Sequence, residues 1–161
     1  MTNVTEEPTT DENLLEYHLG AEANVKTFSY KTPGEFEGGK ASIRLGQCGQ
    51  VRGLVQVVRE GGENNLHYHT RIDALWMVLK GRVRFYGPDD VVLGEFAQHE
   101  GILIPNGARY WFESAGDEEL ELLQVSAFNE PNPKNSGRTD VSAQKFAVGT
   151  SPRFQAETTG N

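Results

Sequence analysis

Along this chain, hydrophobic and polar positions alternate with a period of two far more often than they recur every three or four residues. Between Val25 and Phe128, short runs rich in Val, Ile, Leu and aromatic residues follow one another, broken by Gly, Pro, Asn and Asp. Such runs bounded by turn formers predict strands. The pattern places them near 25–30, 40–46, 51–58, 66–69, 74–79, 82–86, 91–97, 101–104, 109–113 and 119–127. Lys80-Gly81 and Gly87-Pro88-Asp89-Asp90 supply the residue types that tight hairpins require, because only such residues adopt the turn dihedrals cheaply. Many short strands with almost no helical periodicity predict an all-β closed barrel or sandwich spanning 21–128.

The two ends have a different texture. Residues 1–20 form a polar arm, with one or two helical turns expected over Glu12–His18; Leu14, Leu15 and Tyr17 are too few to hold a helix without docking. Residues 129–161 are rich in Pro, Gly, Ser, Thr and Asn and read as a C-terminal tail. Within it, Lys145-Phe146-Ala147-Val148 is the only piece apolar enough to dock as a strand.

Composition narrows the function classes. A chain of 161 residues is one domain's worth. The formal charge of −8 and the lack of any basic cluster argue against nucleic acid and anionic membranes, both of which require concentrated Lys and Arg. No apolar run is long enough to span a bilayer. The polar, acidic start lacks the pattern of a secretory signal, so a cytoplasmic location is expected. The single cysteine, Cys48, excludes an internal disulfide.

The chemistry concentrates in the stretch from Gly61 to Gly81, which contains His67-Tyr68-His69. On a strand, alternate side chains share a face, so both imidazoles project to one side about 7 Å apart. Two neutral imidazoles on one face can converge on a metal ion. Trp76 and Phe112 share strand faces with Ala74 and Tyr110 and are expected to line the same pocket. Gln56 and Gln124 lie mid-strand in apolar runs; facing inward, each needs a hydrogen-bond partner, which a ligand can supply.

These residues resemble the cupin family. Gly61, five residues, His67, His69 and then Gly81 follow the family's first motif, and Gly101 to Pro105-x-Gly107 looks like its second. The resemblance covers roughly 51 to 127 and implies a double-stranded β-helix (jelly-roll) barrel. It also implies a divalent metal (Fe, Mn, Ni or Zn) bound by four side chains, of which only His67 and His69 match. The family's glutamate falls at Ala74, its second-motif histidine at Tyr110, its asparagine at Ser114 and its opening glycine at His99. Asp73, beside the vacant glutamate position, and Tyr110 are the candidate replacement ligands.

Three functions follow as expectations. The first is a metal-dependent dioxygenase or isomerase. The second is a metal-free isomerase or epimerase of sugar type, with His69 as base, Tyr110 as acid, and Arg44, Arg71 or Arg109 recognising phosphate. The third is a non-catalytic small-ligand binding module. A small-molecule partner and a homodimer that covers exposed strand edges complete the expectation.

Overall fold

Burial along the strands repeats the period of two seen in the sequence. In the segment Ile72–Lys80, Ile72, Ala74, Trp76 and Val78 are buried while Asp73 and Leu75 are exposed. The computed structural model describes residues 10–60, 62–141 and 151–159. Over these it runs α1 (Asp11–Glu22), β1 (Thr27–Ser29), β2 (Lys40–Cys48), β3 (Val51–Val58), β4 (His67–His69), β5 (Ile72–Lys80), β6 (Val83–Tyr86) and β7 (Val92–Phe96). There follow β8 (Gly101–Ile104), β9 (Trp111–Ser114), β10 (Leu120–Phe128), β11 (Arg138–Asp140), β12 (Arg153–Gln155) and β13 (Glu157–Thr159).

Two layers face each other. One is a six-stranded sheet in the order β12-β2-β3-β10-β5-β8. The other is built on β7-β6-β9, continued by β4 through the bridge His67–Tyr110 and by β11 on the far side of β4. Between them lies the main core, in which Val58, Ile72, Trp76 and Val78 meet Val83, Phe85, Tyr110 and Phe112. This is the double-stranded β-helix arrangement, although the ladders do not close into one continuous barrel. A second cluster (Ile43, Leu45, Val55, Val57 and Ala156) covers the other face of β2 and β3, packed by Tyr30 and Phe36.

Local chemistry sets the turns. Gly81 joins β5 to β6 at φ +83°, a conformation that side chains resist. Gly101 is required by space. A Cβ there would lie 1.8 Å from the Trp76 carbonyl oxygen, inside the β5–β8 ladder. Gly101→Ala is therefore expected to push β8 off β5 and cost about 3 kcal/mol or more of unfolding free energy, measurable as a lower denaturant midpoint with an unchanged slope.

The structure departs from the sequence reading at both ends. Helix α1 is longer than the expected turns, with Thr10 as its N-cap accepting from the Asn13 amide, and it buries no residue. Strand β1 joins neither layer but pairs with β13. The tail returns to the fold. β11 pairs with β4, and β12 runs parallel to β2. The expected strand at 145–148 lies outside the described residues.

Candidate functional site

Strand β4 holds His67 and His69 on its inward face, between Tyr110 on one side and β11 on the other. The His67 ring is 1% exposed. Its Nδ1 lies 2.6 Å from the Asn65 carbonyl oxygen, an acceptor, so Nδ1 carries the proton and Nε2 is left as an acceptor. The Nδ1 of His69 is 2.9 Å from Ser136 Oγ. The two rings are 5.1 Å apart and nearly perpendicular, and Tyr110 packs 4.5 Å from His67 and 6.3 Å from His69.

Burial, reinforced by the Arg138 guanidinium, holds both imidazoles neutral. It pushes the pKa of His67 down to about 3 and that of His69 down to about 4. The general base expected of His69, with an ordinary pKa near 6.5, is thus a much weaker base in the folded chain. Tyr110 moves the other way. Burial lifts its phenol to about 12, so it remains a protonated donor at neutral pH.

The facing layer supplies the rest. Register places Trp76, Gln124 and Leu54 side by side across β5, β10 and β3, with Leu122 and Gln56 two residues along. Trp76 is 2% exposed, and Phe112 packs on it at 5.3 Å. Gln124 is buried. Lys40, opposite Val58 at the start of β2, extends its Nζ to 5.6 Å from the Phe112 ring. Burial first, then Arg138, lowers its pKa to about 8. Gln56 Oε1 is buried with no hydrogen-bond partner among the described residues, while Trp76 Nε1 and Tyr110 Oη, close enough for the indole N–H to favour the phenolate, make no other hydrogen bond there. Buried groups left in that state cost about 1–3 kcal/mol each.

The structure thus gathers His67, His69, Tyr110, Trp76, Phe112, Gln56 and Gln124. It does not bring in Asp73, whose side chain is on the outer face and accepts from the Asn106 amide at 2.7 Å. The strand period carries Asp73 away from Ala74, and no loop rotates it back. Arg71 is paired with Glu130 on the surface and Arg109 is exposed. His99, at φ +69°, is exposed between β7 and β8.

Three residues were missed. Lys40 opens a strand and reads as solvent-facing. Arg138 and Asp140, ion-paired at 2.9 Å, face the same side as His69 and His67. Their only sequence signal was one alternation across Arg138-Thr139-Asp140, too short to separate from tail.

A divalent metal does not fit these side chains. No group of three or more His, Cys, Asp or Glu is placed to hold an ion among the described residues. Ala74 occupies the position of the family's glutamate and supplies no ligand; with His69, Ile72, Ile104, Pro105, Ala108 and Tyr110 it lines a crevice that, as it stands, has no room for a water molecule. The fourth position is a phenol, an uncommon ligand for a divalent ion, and catalytic metals usually take three protein ligands.

Comparisons with known proteins agree with this architecture. A conserved protein with a double-stranded β-helix domain from Klebsiella pneumoniae superposes with a TM-score of 0.51 at 18% identity, covering 60% of this chain and 74% of that one. An oxalate decarboxylase from Lactobacillus farciminis, solved as a formate complex, superposes at 0.50 and 20% identity, covering 68% of this chain and 33% of that one. At these identities the likeness concerns the fold alone. No curated protein matched in sequence. No helix among the described residues is long and apolar enough to cross a membrane. The cupin family model matches residues 42–153, well over half of the sequence, and the chain belongs to the cupin family.

Proposed function

We propose that this cupin binds a small, oxygen-rich organic anion between its two layers without a metal ion. The observation that carries the proposal is a set of buried polar atoms, Trp76 Nε1, Tyr110 Oη and Gln56 Oε1, that find no partner beyond one another, in a region where Lys40 is half-buried. Lys40 makes no ion pair among the described residues, where the salt bridges involve other cations. Two donors and a cation suit a carboxylate or phosphate oxygen. Gln56 Oε1 and the His67 Nε2 suit a ligand hydroxyl or amide N–H.

A proton-transfer reaction on the same ligand is the second reading, favoured by a neutral imidazole beside a protonated phenol. An anion lying against Arg138 would offset the smaller of the two main causes that depress His69 and so raise its basicity in part. His69 would then take a proton from carbon next to a carbonyl while Tyr110 donates one.

A thermal-shift panel of small carboxylates, phosphates and sugar phosphates tests the binding. A ligand at about 100 times its Kd adds about 2.7 kcal/mol, which raises the midpoint by roughly 5–10 °C for a chain of this size. Tyr110→Phe is expected to fold with about the stability of wild type, since the hydroxyl it deletes meets only the Trp76 indole, and to weaken the hit about tenfold or more. No stabilising anion, or one indifferent to Tyr110→Phe, would reject the proposal.

A further inference from the structure

A groove at the edge of the six-stranded sheet collects three arginines with no acidic partner. Ser42 and Arg44 lie on the inward face of β2, and Arg52 and Leu54 on that of β3. The parallel pairing of β12 sets Arg153 beside Ser42 and Gln155 beside Arg44. Together with Phe154 these residues line an open groove of about 420 Å³.

Two of the three guanidiniums are held in place. Arg44 donates to Gln47 Oε1 at 3.0 Å, and its carbonyl accepts from Gln155 Nε2 at 3.1 Å. Arg52 stacks over the Phe128 ring at 4.7 Å, which leaves the edge of the guanidinium for a ligand. None of the three makes a salt bridge among the described residues, although the chain carries 23 acidic residues against 15 basic ones. Clustered like charges repel, and an anion that bridges them removes the repulsion.

We infer that the Arg44–Arg52–Arg153 groove is a binding subsite for a polyvalent oxyanion group, the phosphate or clustered carboxylates of a small molecule. The net charge of −8 disfavours a polymeric anion here, because the surrounding surface repels one, but it leaves a local positive groove open to a small one. The groove shares a face with the interlayer pocket. Arg52 lies across from Ser126, and Ser126 from Ala74, a separation of two strand spacings, about 10 Å. The charge of Arg52 is felt at His69. A ligand held by its anionic head on the arginines would have to open the tight crevice at His69 and Tyr110 to place its other end there, an extension that relies on the proposed function.

Calorimetry on the full chain at moderate salt tests this with pyrophosphate, citrate and acetate. Pyrophosphate or citrate is expected to bind and acetate not to. The double variant Arg44→Gln/Arg153→Gln alters two exposed side chains, so its melting temperature should be unchanged while affinity falls about tenfold or more. Tyr110→Phe should leave pyrophosphate binding intact. Tighter binding of pyrophosphate supports a phosphorylated ligand, and tighter binding of citrate a polycarboxylate. No binding of either, or full affinity in the double variant, overturns the subsite. If longer phosphorylated ligands depend on the arginines but not on Tyr110, the pocket reading fails and the arginine subsite stands.

Discussion

Acidification from about pH 7 to pH 5 is expected to cost the folded protein about 2 kcal/mol through His67 alone. The sign follows from the two states. In the unfolded chain His67 titrates near 6.5, and in the folded chain near 3. Below about pH 6.5 the unfolded state therefore binds the proton and the native state does not, so stability falls by about 1.4 kcal/mol per pH unit until the folded pKa is reached. His69, with a folded pKa of about 4, acts in the same direction over a shorter window, and its partial exposure reduces its share. His67→Asn isolates the effect. The amide nitrogen can replace Nδ1 as donor to the Asn65 carbonyl but takes up no proton. Denaturant unfolding at several pH values should show a shallower acid slope for the variant. Equal slopes would mean that the His67 ring is not buried as a neutral group.

Trp76→Ala should be the most damaging single truncation in the core, costing about 3–5 kcal/mol. The side chain is 2% exposed and touches Phe85, Tyr110 and Phe112 with ring separations of 6.0, 6.3 and 5.3 Å. Its removal opens a cavity between the layers that rigid strands cannot close. Trp76→Phe separates packing from polarity. It keeps most of the aromatic contact and deletes an indole N–H that meets only the Tyr110 hydroxyl, so a loss of only about 1 kcal/mol is expected. Binding of the anionic ligand should weaken in Trp76→Phe even though the fold survives. A ligand bound equally well by both proteins would place the site elsewhere.

The period-two reading found the layers because both faces of the central strands are decided by burial. Strands β3 and β8 fall at the expected residues 51–58 and 101–104, and the same alternation places Trp76 and Phe112 inside. It also sets Asp73 on the face opposite Ala74, and the structure follows the period there. The tail was not legible. Arg138–Asp140 and Arg153–Gln155 are three-residue strands whose side chains are all exposed, so no hydrophobic pattern marks them and only backbone pairing with β4 and β2 holds them. Lys40 and Arg138 were overlooked for the same reason, since a charged side chain at a strand end normally points to water. Lys40 matters because distant strands half-cover it, and Arg138 because β11 pairs with β4 beside His69. The imidazole pKa values were likewise beyond reach, because they depend on how deeply β4 is covered and on Arg138, about 70 residues away in the chain.

Metal content tests the central claim most directly. The purified chain, incubated with Fe(II), Mn(II), Ni(II) or Zn(II) and then desalted, is expected to retain well under about 0.1 ion per chain, no more than His67→Ala treated identically. One ion per chain in the wild type, lost in His67→Ala, would contradict the account and return these two histidines to the role of metal ligands.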